Sequence, residues 1–270
     1  MPGSEKDNTK TSTAWLIARS LTVIGVALSI FQLYTAGIVA MTAMRHRSVF
    51  LTCILAMTFL TKPLHKRARK DKLNVAMIVD LILIATAILI GLYIFVDLQG
   101  IFERQGEWSP WDFRVGVALV ILVLEATRRV IGLNLTIIAI MFLLFGYFGP
   151  WMPELIVHKG YSVERIATTL SLTTEGIFGL PLGVASTFVF IFILFGAFLD
   201  KTGAGKFFID LSYSITGRFS GGPAKTAVVA SGFMGSVAGS AVANVVATGS
   251  FTIPMMKKIG YRKHVAAAVE

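Results

Sequence analysis

An all-α polytopic membrane protein, with about six transmembrane helices plus a re-entrant helical hairpin, is the fold class predicted by three observations. Of the 270 residues, 55% are hydrophobic and only 15% charged, and the mean hydropathy is +0.74; that places the chain among membrane proteins and leaves no soluble domain of useful size. Apolar runs recur between short charged segments, as spanning helices require. Between Lys225 and Lys257 the chain carries about 30 residues without a charge, too many for one span of about 20 and too few for two with a turn.

Taken in order, the polar tail Met1 to Thr13 precedes a run, Ala14–Ile38, that is too long for a signal-peptide core and reads as a retained first span. The further candidate spans are Val49–Leu64, Asn74–Val96, Phe113–Ala126, Ile131–Phe148 and Leu182–Leu199, the first and third of these being short. Lys62, Lys66, Arg67, Arg69, Lys70 and Lys72 face Asp71 alone in one loop, which the positive-inside bias places in the cytoplasm. Alternation then puts the N-terminus inside, Asp97 to Asp112 and Trp151 to Thr174 outside, and Lys201 onward inside. Arg45 and Arg47 fall on the outer side against the bias, outweighed by the six-cation loop. Gly203 to Phe219 spaces Phe207, Phe208, Leu211 and Ile215 as an amphipathic helix at the inner interface. Gly221-Gly222-Pro223 breaks the chain after it, Tyr161 to Leu170 suggests a similar helix outside, and Gly179-Leu180-Pro181 marks entry to the next span. Trp108, Trp111 and Trp151 sit at span ends like an aromatic belt.

The uncharged stretch reads as two arms, roughly Ala224 to Val237 and Val245 to Met256, meeting in the tip Gly235-Ser-Val-Ala-Gly-Ser-Ala-Val-Ala-Asn244. Lys225 and Lys257 then lie on one side, as a hairpin demands. Non-helical backbone at membrane depth must be buried in protein or line a wet cavity, which is where secondary transporters hold ions and substrates. A single long, kinked span with a small-residue packing face is the other reading. In the hairpin reading the carbonyls of Val237 to Gly239 offer partial negative charge to a hard cation, and Asn244 caps the second arm, whose N-terminus favours an anionic group.

The net charge of +10 resides in loops beside apolar runs, so the acidic partner is the lipid headgroup layer and not nucleic acid. Cys53 is alone and inside an apolar run, and His46, His65, His158 and His264 share no ligand spacing, so neither a disulfide framework nor a metal centre is expected. Asp80, inside the third span, is a functional candidate by default, yet it lies close enough to the basic loop to pair there. Glu125 stands three and four residues before Arg128 and Arg129, which favours a local ion pair. Gly203-Ala-Gly-Lys206 is no phosphate loop, because Phe207 stands where the magnesium-binding hydroxyl belongs. No constellation for enzyme catalysis is visible.

The stretch Ser231-Gly-Phe-Met-Gly-Ser-Val-Ala-Gly-Ser-Ala-Val-Ala-Asn-Val-Val-Ala-Thr-Gly-Ser-Phe-Thr-Ile-Pro-Met-Met-Lys-Lys-Ile-Gly-Tyr261 closely resembles the first hairpin of the large membrane subunit of tripartite ATP-independent periplasmic (TRAP) transporters. The resemblance extends to Phe190 to Lys206 and Arg218-Phe-Ser-Gly-Gly-Pro223. Leu28-Ser-Ile-Phe-Gln-Leu-Tyr-Thr-Ala-Gly37 and Leu124-Glu-Ala-Thr-Arg-Arg-Val-Ile-Gly132 are similar to fused permeases that work with TAXI-type binding proteins. The resemblance implies an inverted-repeat, elevator-type transporter of the bacterial inner membrane, with no cofactor but sodium as coupling ion. It would import small organic acids handed over by a periplasmic substrate-binding protein of the TAXI type. Residues 1–112 would be small-subunit-like and 113–270 the N-terminal part of the large-subunit-like transport domain, with the hairpin at 223–258 and the join near 97–113. The implied sodium site is Ala238, Gly239, Ser240 and Asn244, and Ser240, Asn244 and Thr248 would meet substrate. Many dicarboxylate-type members carry Asp where this chain has Asn244, which removes a formal charge. Because a second, inverted hairpin is absent, the sequence reads as the N-terminal portion of a longer permease. A non-transporting membrane scaffold or anchoring subunit is the alternative.

Overall fold

The computed structural model describes residues 5–64, 75–237 and 241–270. These residues form α1 (Glu5–Gly37), α2 (Ala43–Thr61), α3 (Val75–Val96), α4 (Leu98–Glu103), α5 (Pro110–Val130), α6 (Leu133–Tyr147), α7 (Val163–Leu172), α8 (Leu180–Val184), α9 (Phe190–Thr202), α10 (Ala204–Thr216), α11 (Gly222–Val237), α12 (Ala241–Lys258) and α13 (Lys263–Val269), with no strand among the described residues. The chain divides into two compact units, Met1–Ser186 and Thr187–Glu270.

Among the described residues, three helices are long and apolar enough to cross a membrane: Ile17–Gly37, Val75–Val96 and Leu180–Leu199. They match three of the six expected spans. The third contains a π-helical segment, Ala185–Val189, between α8 and α9, and such wide turns are common where a helix is locally adapted. Of the other expected spans, α6 is apolar but only 15 residues long. Helix α2 opens on Arg45, His46 and Arg47, and α5 includes Asp112, Arg114, Glu125, Arg128 and Arg129, so their apolar windows are diluted by charge.

In the first unit, α2, α3 and α5 share one core. Met44, Leu55 and Phe59 of α2 meet Ala87, Ile90 and Ile94 of α3 and Leu119 and Leu122 of α5, with Leu98, Ile101, Leu172 and Phe178 closing one end. Gly91 is what lets α2 and α3 approach, since a Cβ there would lie 2.0 Å from Thr52 Oγ1. Helix α7 packs on α5 through Ala167, Thr168 and Ser171, which are buried, and a Cβ on Gly116 would lie 2.6 Å from Ser171 Oγ. Trp108 packs against this core, which takes it out of the expected belt, whereas Trp111 and Trp151 are exposed.

Arg45 and Arg47, which ran against the charge bias, are occupied inside the unit. The Arg47 guanidinium donates to Phe178 O at 2.5 Å and Gly179 O at 3.3 Å, and that of Arg45 lies 5.8 Å from the Phe95 ring centroid.

In the second unit, α10 packs on α11 through a small, polar face. Ile209, Ser212 and Thr216 are buried while Phe207, Leu211 and Ile215 are exposed. Thr216 Oγ1 and Thr226 Oγ1 are 2.8 Å apart, a buried hydroxyl pair that fixes the register of the two helices. Of the apolar residues that signalled the helix in the sequence, Phe208 stacks on Phe233 of α11 with ring centroids 5.8 Å apart, while Phe207, Leu211 and Ile215 are exposed, as suits a helix with lipid on its other side.

Candidate functional site

Helices α11 and α12 are separated by the three residues 238–240 and pack along one another. Their 16 and 18 residues correspond to about 24 and 27 Å of rise. The paired arms occur where the sequence placed them, although each starts earlier than expected. The end carrying Lys225 and Lys257 is closed by Ala227, Met256 and Ala266, with Ala224, Ile253 and Tyr261 packed against them. Pro254 lies inside α12 and brings no amide to the helical ladder there.

Asn244 joins the arms near the tip. Its Nδ2 donates to Ser231 O at 3.1 Å and lies 3.1 Å from Ser231 Oγ; the carbonyl is acceptor-only, so the amide nitrogen must face it. A Cβ on Gly235 would lie 3.3 Å from that nitrogen, which explains a glycine facing Asn244. The expected capping role is corrected. Asn244 is the fourth residue of α12, and its amide reaches across to α11 instead of back to the start of its own helix. Its Oδ1 is buried and has no hydrogen-bond partner among the described residues. A buried amide oxygen without a donor carries a desolvation penalty unless a donor or cation meets it.

One turn on, Thr248 is fully buried and donates to Asn244 O at 2.9 Å; Thr252, also buried, repeats the pattern toward Thr248 O at 3.0 Å. Each hydroxyl also faces the Glu270 carboxylate, so its one proton is shared between that acceptor and the helix carbonyl. That carboxylate was not singled out in the sequence, because it lies 18 and 22 residues from its partners and no local pattern announces such a contact. Ala238, Gly239 and Ser240 lie outside the described residues.

The two other intramembrane candidates belong to the first unit and pair with each other's neighbourhood. Arg129 Nη1 is 2.5 Å from Asp80 Oδ1 and Nε 2.7 Å from Glu125 Oε1, with its side chain 3% exposed. Arg128 Nε meets Glu125 Oε2 at 2.8 Å, so the local pair read from the spacing is present. Asp80 has a charge partner on α5, 49 residues away; the expected pairing with the basic loop concerns Lys66, Arg67, Arg69, Lys70 and Lys72, which lie outside the described residues. The Arg129 guanidinium also covers the Phe59 ring at 5.0 Å and donates to Lys62 O at 3.1 Å. Four charges that cancel, bonded to one another and stacked on a ring, tie α2, α3 and α5 together.

A second polar hub lies at the other end of these helices. Asp112 is fully buried and accepts from Tyr93 Oη at 2.7 Å, Arg104 Nε at 3.0 Å and the Ser109 amide at 3.0 Å, while Arg104 Nη2 reaches Asp97 at 2.6 Å. Burial alone would raise the Asp112 carboxyl, but hydrogen bonds from Arg104, Tyr93 and Ser109 outweigh it and hold the group at about 2.

A family model described as "Tripartite ATP-independent periplasmic transporter, DctM component" matches residues 118–270, more than half of the chain. The "C4-dicarboxylate TRAP transporter large permease protein DctM" of Vibrio cholerae is 36% identical over 115 residues, 43% of this chain and 24% of that protein. A "Putative TRAP transporter large permease protein" of Haemophilus influenzae is 37% identical over 78 residues, 29% of this chain and 18% of its own length. The "2,3-diketo-L-gulonate TRAP transporter large permease protein YiaN" of Escherichia coli is 33% identical over 78 residues, with the same shares. The chain therefore spans about a fifth of the length of these curated relatives. No solved structure matches it.

Proposed function

Since the chain belongs to the DctM-component family of tripartite ATP-independent periplasmic transporters, whose members are membrane-embedded permeases and not enzymes, we propose that it forms part of a sodium-coupled permease. In this reading the permease lies in the bacterial inner membrane and imports small organic acids delivered by a periplasmic binding protein. The carboxylates for which its relatives are named support the substrate class. The similarity of the segments at residues 28–37 and 124–132 to fused, TAXI-associated permeases supports a small-subunit-like part over residues 1–112 ahead of the large-subunit-like part. The family match, which begins at residue 118, is compatible with that join.

The single observation that carries the reading is Asn244, whose amide nitrogen is spent on bridging the two arms while its oxygen stays buried without a donor among the described residues. An unspent oxygen beside a helix break suits a hard cation. Arms of about 24 and 27 Å fall short of a hydrocarbon core of about 30 Å, which supports a re-entrant hairpin whose tip holds the ion. In this proposal Ala238, Gly239, Ser240 and Asn244 supply sodium ligands, and Ser240, Asn244 and Thr248 border the substrate. In cells expressing the transporter that carries this sequence, Asn244→Ala is expected to raise the sodium concentration for half-maximal uptake roughly tenfold, the equivalent of about 1.4 kcal/mol. Unchanged sodium dependence at equal expression would reduce Asn244 to an interhelix tether, and would favour the scaffold reading if wild-type uptake also ignored sodium.

The proposed topology places residues 62–72 in the cytoplasm and 97–112 in the periplasm. Cysteines introduced singly at Gln105 and Ala68 in a Cys53→Ala background are expected to react with an impermeant maleimide from outside and only after permeabilisation, respectively. The reverse pattern overturns the orientation.

A further inference from the structure

From Leu211 to Val269 the sequence holds no acidic residue, yet it carries Arg218, Lys225, Lys257, Lys258, Arg262 and Lys263. The fold gathers them. Arg218 and Lys225 flank the turn between α10 and α11; the other four follow the last turn of α12 into α13. These two segments meet at one end of the second unit, where Tyr261 packs with Ala224 and Ala227 and a Cβ on Gly221 would lie 3.6 Å from Tyr261 Oη. All six side chains belong to exposed residues, and none is in a salt bridge among the described residues. Glu270, the nearest acid in sequence, has its carboxylate on Thr248 and Thr252 and is not among their ion-pair partners. Like charges crowded in this way repel unless an anion joins them.

An apolar surface runs up to the same place. Phe207, Leu211, Ile215 and Phe219 recur every fourth residue and are 61%, 36%, 49% and 55% exposed, forming one stripe of α10 and the turn after it. Lys225 Nζ sits 5.5 Å from the Phe219 ring centroid, so the stripe ends under a cation. A soluble anion would satisfy the charges and leave the stripe bare; a zwitterionic lipid would cover the stripe and leave the charges. One kind of ligand answers both.

We propose that this end of the second unit is a binding site for an anionic phospholipid, its phosphate held by the cation cluster and its acyl chains lying along Phe207, Leu211 and Ile215. The inference rests on the membrane reading of the chain and adds the lipid class. Cations near an anionic bilayer surface contribute cumulatively, so a preference for anionic over zwitterionic lipid follows from the cluster and falls as cations are removed. An amphipathic helix anchored this way beside the hairpin holds the open ends of its two arms at the inner interface.

The test is competition for the purified protein between phosphatidylglycerol and phosphatidylcholine of identical chains, read by native mass spectrometry as the ratio of retained lipids. The wild type is expected to retain phosphatidylglycerol at least about tenfold over phosphatidylcholine. Arg218→Gln with Lys225→Gln should bring the ratio near one, whereas Lys159→Gln, in the other unit, should leave it unchanged. Phe207→Ser with Leu211→Ser should lower retention of both lipids together. Thermal unfolding of each variant identifies any that has lost its fold, in which case Lys257→Gln with Lys258→Gln replaces it. Equal retention of the two lipids by the wild type overturns the proposal. So does full displacement of phosphatidylglycerol by millimolar inorganic phosphate, which would make this a free-anion site, and so does indifference to the serine substitutions, which would mean that protein covers the stripe. Sodium-dependent uptake is scored separately, so loss of the lipid preference with uptake intact rejects this inference alone.

Discussion

Arg129→Leu is expected to destabilise the first unit by about 3–5 kcal/mol, the range for breaking a buried ion pair by removing one partner. The Arg129 side chain is 3% exposed and that of Asp80 11%. After the substitution Asp80 keeps, among the described residues, only a long 3.4 Å bond from the Leu64 amide, leaving its carboxylate short of partners in a low-dielectric site. Glu125 is less affected, because Arg128 still holds it in two bonds of 2.8 Å. The double variant Asp80→Leu with Arg129→Leu removes both charges, and well-packed apolar replacements of buried pairs are often neutral. It should therefore recover most of the lost stability. The comparison is made by thermal unfolding in detergent, with both variants normalised to wild type. A single variant no less stable than the double would mean that the pair sits in water, and that Asp80 is free to take a functional role.

The same residues mark where the sequence could be read and where it could not. The helix pair α11 and α12 was legible because lysines bound an uncharged run of unusual length, a one-dimensional signal. The pair Glu125 with Arg128 was legible because helical spacing places those side chains together. Asp80 was recognisable as a buried carboxylate, but its partner was not, since nothing local links residues separated by 49 positions. The start of α5 was misplaced at Phe113 although the signal was present: Ser109 and Asp112 form a capping box around Pro110 at the first helical position. Reading it would have set the boundary at Pro110 and flagged Asp112 as a cap. The buried contacts of Asp112 with Tyr93 and Arg104 would still have been invisible, because they depend on how α3 and α5 pack.

That hub gives the protein an acid limit. Asp112 has a folded value of about 2 against an ordinary 3.8, so its contribution is fully present above about pH 4 and drains away as pH falls toward 2. A depression of this size corresponds to about 2 kcal/mol. Asp112→Asn keeps the shape, removes the charge and leaves Asp97, whose side chain is 40% exposed, as the one carboxylate paired with Arg104 among the described residues. The variant is therefore expected to be less stable by about 2 kcal/mol at pH 7 and to lose the part of the wild type's acid slope between pH 4 and 2 that this carboxylate supplies, so that the two proteins converge in stability near pH 2. Ser109→Ala, which deletes only the cap, should cost about 1 kcal/mol and keep most of the slope. The measurement is the denaturation midpoint at several pH values in detergent. Parallel curves for wild type and Asp112→Asn would place the acid sensitivity elsewhere and leave Asp112 as a hydrogen-bond acceptor whose charge does not matter.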